Sequence, residues 1–230
     1  KKSGAHYHIC HISAKESVEL LRQAKQAGLD VSGEVTPHHL LLNETDMKPH
    51  ANYKMNPPLR ASSDQRALLE GIQSGVIDII ASDHAPHTKE EKEKGLIDAP
   101  FGIVGLETAF PLLYTYLVRS GKITLHRLLE LMSAAPAKRF RMERKGLLQV
   151  GYAADLTLID LNQSNIIRSE NFYSKGKNTP FDGWKVYGKV RMTIVEGAIV
   201  YCDKDLYKQN KDLKKWIEHE NRENKQEVIR

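Results

Sequence analysis

Residues 79–87 read Ile79-Ile80-Ala81-Ser82-Asp83-His84-Ala85-Pro86-His87, an apolar run passing straight into a loop dense with metal-binding and proton-handling groups. The apolar part, Ile77-Asp78-Ile79-Ile80-Ala81, has the length and branching of a parallel strand buried on both faces. Ser82, Asp83, His84 and His87 therefore fall where that strand ends. In a β/α barrel the C-terminal ends of the strands hold the chemistry, so the pattern points to an α/β enzyme.

Working outward, residues 6–11 read as a buried strand, with Ser13 placed to cap a helix over 14–27 that Gly28 ends. A strand over 31–35 follows, then an irregular segment through Asn56-Pro57-Pro58, then a helix over 63–74 with Ser62 and Gln65 as a capping box and Gly75 at its C-terminal end. Helices are expected over 106–119 and 125–133, giving about four strand-helix units in residues 1–145. A complete eight-unit barrel takes about 250 residues, so this part reads as half of one. From Gly146 the texture changes to short strands over 156–159, 190–195 and 198–201, with Val195-Glu196-Gly197-Ala198 as a hairpin turn. Residues 146–203 thus read as a small β module, and residues 204–230 as a charged, solvated helical tail carrying Leu206, Leu213, Trp216 and Ile217.

The 230 residues, 40% hydrophobic and 27% charged, are ordinary globular material. No apolar run approaches the roughly 20 residues that cross a bilayer, and a cytoplasmic location is expected. Cys10 and Cys202 are far apart and outside any C-x-x-C pair, which fits reduced thiols, with Cys10 a small core residue. The net charge of +5 is spread over exposed-looking helices and the tail, not gathered into an arginine stripe, which disfavours nucleic-acid binding.

Asp83 is the strongest candidate: a carboxylate at a strand mouth beside His84 and His87 can ligate a metal and shuttle a proton from a water. The plain alternative is a loop-capping aspartate. His11 is the second candidate ligand, again at a strand end. Strand alternation puts His6 and His8 on one face and His11 on the other, so His8 and His11 are not expected to chelate one ion. His38 and His39 follow Thr36-Pro37 at another strand end, as ligands or as parts of a structural turn. Asn56 can donate to and accept from a urea-like or imide-like substrate, or simply serve the turn before proline. The segment Ala99-Pro100-Phe101-Gly102-Ile103-Val104-Gly105 offers backbone groups, with Gly102 permitting close approach. A catalytic zinc takes about three protein ligands and a bimetal site more, and two good ones are legible.

These residues resemble a known family, the dihydroorotases of the long bacterial type within the amidohydrolase superfamily. The resemblance is carried, in order, by Tyr7-His8-Ile9-Cys10-His11-Ile12-Ser13, Glu34-Val35-Thr36-Pro37-His38-His39-Leu40, Tyr53-Lys54-Met55-Asn56-Pro57-Pro58-Leu59-Arg60, Ser82-Asp83-His84-Ala85-Pro86-His87 and Ala99-Pro100-Phe101-Gly102-Ile103-Val104-Gly105. It extends to about Val200, including Asn178-Thr179-Pro180-Phe181, and the tail beyond Asp203 looks unlike the family.

The resemblance implies a (β/α)8 metal-dependent hydrolase barrel, this chain being its C-terminal half plus part of a small β-sandwich module. It implies that His11 ligates one Zn2+ and Asp83 the other, Asp83 also acting as general base and acid, while Asn56, His87, Phe101 and Gly102 hold substrate. The implied reaction is reversible cyclisation of N-carbamoyl-L-aspartate to L-dihydroorotate in pyrimidine biosynthesis. One or two zinc ions are expected, with the family's paired His-x-His, bridging acidic ligand, further histidine and substrate arginine outside this chain. Homodimerisation and association with aspartate transcarbamoylase are the partner expectations. Rivals are a related cyclic amidohydrolase, an allantoinase or hydantoinase, and a non-catalytic fragment or scaffold; the Asn56 and His87 contexts favour dihydroorotase.

Overall fold

Three short strands, β1 (Tyr7–Ile9), β2 (Val31–Val35) and β3 (Ile79–Ile80), lie parallel in the order β1-β2-β3 in the computed structural model, which describes residues 4–224. Because they run parallel, the chain leaves all three at one edge of the sheet, at Cys10, Thr36 and Ala81. His8 lies opposite Ser32, and Glu34 opposite Ile79. The ladder continues past the strands through Ile12 N–H to Glu34 O (2.9 Å) and Ala81 N–H to Val35 O (3.0 Å). Alternation on β2 therefore sends Ser32 and Glu34 to one face and Val31, Gly33 and Val35 to the other.

Helix α1 (Lys15–Gln26) packs on that second face. A Cβ on Gly33 would sit 2.5 Å from Ile12 Cδ1 and 2.7 Å from Leu21 Cδ2, so only glycine admits this approach. The expected Ser13 cap does not form: Ala14 is the N-cap, and Ser13 Oγ instead accepts from Arg60 Nε (2.9 Å). Asp64 supplies the missing acceptor, taking the Lys15 N–H at 2.9 Å. Helix α2 (Pro37–Leu41) starts on Thr36, with Pro37 in its first turn.

Helix α3 (Ser62–Ser74) ends as expected at Gly75 (φ +79°), but Ser62 is already its first helical residue, so no capping box with Gln65 forms. Gln65 instead donates to Leu40 O (3.2 Å), tying α3 to α2. Short helices α4 (Lys89–Lys92) and α5 (Gly95–Asp98) follow, then α6 (Ala109–Leu113), which widens into a π-helical turn, Tyr114–Val118. The helix expected over 125–133 is α7 (Leu125–Leu129), a second π-helical turn (Glu130–Ala134) and α8 (Ala135–Arg139). Three parallel strands form among the described residues, one fewer than about four strand-helix units need, and the segment around Asn56 is irregular as expected, a loop behind a 3-10 turn, Ala51–Tyr53. Leu21, Val35, Ile72, Ile77, Ile80, Leu113, Leu128 and Leu131 fill the core between sheet and helices, each burial stabilising by about 1.5–3 kcal/mol.

The second sheet is antiparallel: β4 (Leu156–Ile166), β5 (Lys185–Val195) and β6 (Ala198–Cys202). Both turn residues of the expected hairpin are left-handed, Glu196 at φ +50° and Gly197 at +88°, the geometry of a tight two-residue connection. The tail is helical, α9 (Lys204–Gln209) and α10 (Lys211–Asn224), yet not wholly solvated. Ile217 is fully buried against Met192, Ile199 and Cys202, with Leu206 and Leu213 beside it. The antiparallel sheet joins the rest of the fold through two clusters: Val186 packs with Phe181, Ile167, Met55, Ile103 and Leu112, and Leu161 and Tyr187 pack against the core of the parallel sheet. No helix of the described residues is long and apolar enough to cross a membrane.

Candidate functional site

His11 and Asp83 leave β1 and β3 in left-handed backbone, at φ +54° and +47°. Such conformations are uncommon away from glycine and concentrate at functional sites. The twist at His11 overturns the face assignment made from strand alternation: the strand stops at Ile9, and His8 and His11 both turn to Glu34. His8 Nε2 donates to Glu34 Oε2 (3.0 Å), and His8 Nδ1 meets Ser32 Oγ (2.7 Å). His11 Nδ1 lies 2.9 Å from Glu34 Oε1, yet it is left buried with no hydrogen-bond partner, because the approach is off the hydrogen-bond line.

On its other side, His11 Nε2 is 3.6 Å from Asp83 Oδ1, too far for a hydrogen bond. Two atoms each about 2.0 Å from one tetrahedral ion are separated by roughly 3.3 Å, so the spacing suits a cation shared between, or adjacent to, this pair. The imidazole–carboxylate donor set also fits a metal ligand, with the Glu34 carboxylate 2.9 Å behind His11 Nδ1 as the outer contact. Glu34, buried at 6% exposure, is thus a site residue that alternation alone hid. His8, Cys10 and Glu34 also bring one donor atom each within 4.8 Å of one another. Cys10 is exposed, not a core residue, since the strand has ended before it; partial desolvation and then Glu34 push its thiol pKa up.

His39 does not reach a metal. Its Nε2–H donates to Pro57 O (3.0 Å), so Nδ1 accepts from the Thr36 hydroxyl (2.7 Å), and both nitrogens are used. Burial pushes its pKa down to about 4, leaving the imidazole neutral at neutral pH. His38 is pushed well down by burial, then by His39 and His11, and its buried Nε2 has no hydrogen-bond partner. The bond from His39 fixes the Asn56–Pro57 turn, a cis peptide, and leaves Asn56 exposed.

The remaining expected residues converge on one loop. His87 Nε2–H donates to Phe101 O (2.9 Å), and the His87 N–H donates to Asn178 Oδ1 (3.0 Å). Gly102 is left-handed (φ +109°), and a Cβ there would sit 2.4 Å from Ala85 Cβ. Its N–H already donates to Lys54 O (2.9 Å), and its carbonyl accepts from Lys92 Nζ and Asn178 Nδ2. Gly102 therefore contributes shape and not a free backbone group. His84 is turned away, its Nδ1 accepting the Gly105 N–H at 3.1 Å. A cleft of about 690 Å³ at the opposite end of β1 and β2 is lined by His6, His8, Asp30 and Arg139, without Asp83, Asn56 or His87.

An imidazole and a carboxylate at the C-terminal exits of a parallel sheet, backed by packed helices, are arranged as in a TIM-barrel-type α/β fold. The Amidohydrolase family matches residues 2–200, and the chain belongs to that family. A protein named dihydroorotase from Anoxybacillus flavithermus is 58% identical over 200 residues, 86% of this chain and 46% of that protein. A dihydroorotase from Bacillus licheniformis is 55% identical over 207 residues, covering 90% and 48%. Among solved structures, the L-hydantoinase (dihydropyrimidinase) of Arthrobacter aurescens superposes with a TM-score of 0.81 at 38% identity, over 86% of this chain and 45% of that one. The chain thus spans about half the length of the curated relatives it matches.

Proposed function

We propose that this chain forms the C-terminal half of a dihydroorotase barrel (residues 1–145), with a small β-sandwich module (146–203) and a charged tail (204–230) that is helical as far as residue 224, residues 225–230 lying outside the described residues. The observation that carries the reading is the His11–Asp83 pair, 3.6 Å apart at the strand exits, in a chain 58% identical over 200 residues to a protein named dihydroorotase. In this reading Zn2+, one or two ions, is held by His11 and Asp83 together with ligands outside these 230 residues. When bound, the metal polarises the scissile carbonyl and acidifies the attacking water.

In the hydrolytic direction, Asp83 takes the proton of that water and delivers it to the ring nitrogen as the ring C–N bond breaks, converting L-dihydroorotate to N-carbamoyl-L-aspartate. Cyclisation runs the same steps backward. Asn56 and His87 orient the substrate, Phe101 supplies its amide, and Gly102 lets the loop fold closely enough to do so. Glu34 holds the His11 ring so that Nε2 faces Asp83. Homodimerisation and docking to aspartate transcarbamoylase belong to the same reading of the whole protein. Hydantoinase or allantoinase activity is less supported, since the hydantoinase likeness is at 38% identity and the dihydroorotase likeness at 58%.

Asp83→Asn tests the assignment cleanly, because asparagine tolerates left-handed backbone and keeps the side-chain shape. Turnover of L-dihydroorotate should fall by about 1,000-fold or more, with the circular-dichroism melting curve little changed. Turnover within about tenfold of the parent would overturn the role given to Asp83, and preferred turnover of a hydantoin or allantoin would overturn the substrate.

A further inference from the structure

Lys92 is 4% exposed, unusual for a lysine, and belongs to none of the roles assigned above. It lies on α4, inside the segment that runs from Asp83 to Gly102. Its Nζ donates to Pro100 O and to Gly102 O, both at 2.9 Å. The carbonyl between them, that of Phe101, is taken by His87 Nε2. Asn178 reinforces the clamp from the loop between β4 and β5, donating to Ala85 O and Gly102 O at 3.0 Å each. Gly176 presses on the same loop, so closely that a Cβ would sit 2.8 Å from the His87 nitrogen.

All three successive carbonyls, 100, 101 and 102, are thus turned to protein donors, and the Gly102 N–H is spent on Lys54 O. The Phe101 N–H makes no hydrogen bond among the described residues, on a residue 54% exposed. A loop with its acceptors occupied and one donor left recognises an oxygen acceptor, not an N–H.

We propose that Lys92 is a positioning residue: by holding the Pro100 and Gly102 carbonyls it fixes the loop so that the Phe101 amide is offered to a carbonyl or carboxylate oxygen of the substrate. This rests on the assignment of the loop to substrate binding under the proposed function. A buried ammonium suits the task because it can satisfy several carbonyls at once, and a methionine of like length would leave the Pro100 carbonyl unpaired and the Gly102 carbonyl to Asn178 alone.

Two measurements test it. The first is Lys92→Met in the intact enzyme, with Lys92→Arg as the charge-retaining control. KM for L-dihydroorotate should rise by about 10–100-fold with kcat within about threefold, and Arg should recover part of the loss. In hydrogen exchange read by mass spectrometry, peptides covering residues 99–103 should exchange at least about tenfold faster in the Met variant. Unchanged KM with unchanged exchange would overturn the proposal, and so would equal falls in kcat and kcat/KM at constant KM. The second uses the parent protein and so survives a variant that fails to fold: saturating L-dihydroorotate should protect the Phe101 amide and leave Gly102 unaltered. Bound dihydroorotate without protection at Phe101 would overturn the donor assignment. A parent that neither binds nor turns over dihydroorotate would defeat the proposed function instead, while the exchange comparison would still decide whether Lys92 holds the loop.

Discussion

The parallel and antiparallel sheets each have three strands, and they hold their side chains in opposite ways. The parallel strands are three, five and two residues long and lie against helices, and β1 and β3 lead into the candidate ligands. The antiparallel strands are 11, 11 and five residues long and carry many exposed side chains; β4 ends in the loop 167–184, β5 in the hairpin turn and β6 at the tail. In the first sheet position is fixed by burial and by side chains that bridge strands, such as Glu34 between His8 and His11. In the second it is fixed by a long ladder. Substitutions at the exits of the first should therefore alter chemistry, and those in the second should alter stability alone.

The sharpest way to break that contrast, after Asp83, is Glu34→Gln. The amide can no longer balance two imidazoles, and metal affinity in a chelator competition should fall by about 10–100-fold, the usual cost of losing an outer carboxylate. Unaltered affinity would mean that burial and not Glu34 orients His11. The matching change in the second region is Ile217→Ala, which empties a fully buried site under β5 and β6. It should cost about 2–4 kcal/mol in urea unfolding and leave metal affinity unchanged, and a loss below about 1 kcal/mol would show the tail to be dispensable.

The smallest effect is one of acidity and belongs to the first region. His39 has a folded pKa of about 4 against an ordinary 6.5, so the folded state binds fewer protons than the unfolded chain between those values. Stability accordingly rises with pH through that window and is lost as pH falls from 6.5 toward 4, by about 2 kcal/mol at pH 5. His38, also pushed down, adds in the same direction. Urea midpoints at pH 7 and pH 5 read it, and a smaller drop in His39→Gln than in the parent is expected. Identical drops would assign the acid sensitivity elsewhere.

The strand exits were legible because residue types announce them: apolar Ile79-Ile80 running into Ser82-Asp83-His84 can hardly be read otherwise. Gly75 and Gly197 were legible for the same reason, since both occupy left-handed positions that favour glycine. His8 and Glu34 were not, because alternation was carried two residues beyond the end of β1 into a left-handed turn that periodicity cannot register. Ser13 and Ser62 look like helix caps and are not, since Arg60 and the chain entering α3 claimed them first. The π-helical turns after α6 and α7 leave no mark on a period of 3.6. Lys92 was invisible because its partners are backbone carbonyls, whose direction no sequence displays.

The left-handed backbone of His11 and Asp83 has a bearing on how this protein tolerates change. Each residue stores about 1 kcal/mol or more of backbone strain that a glycine would relieve, less the roughly 0.5–1 kcal/mol of extra chain entropy that glycine loses on folding. A laboratory selection for heat resistance alone would accordingly enrich glycine at positions 11 and 83, raising the melting temperature as the two candidate ligands vanish. Robustness and chemistry compete here at single codons, and a library screened for one must be counter-screened for the other.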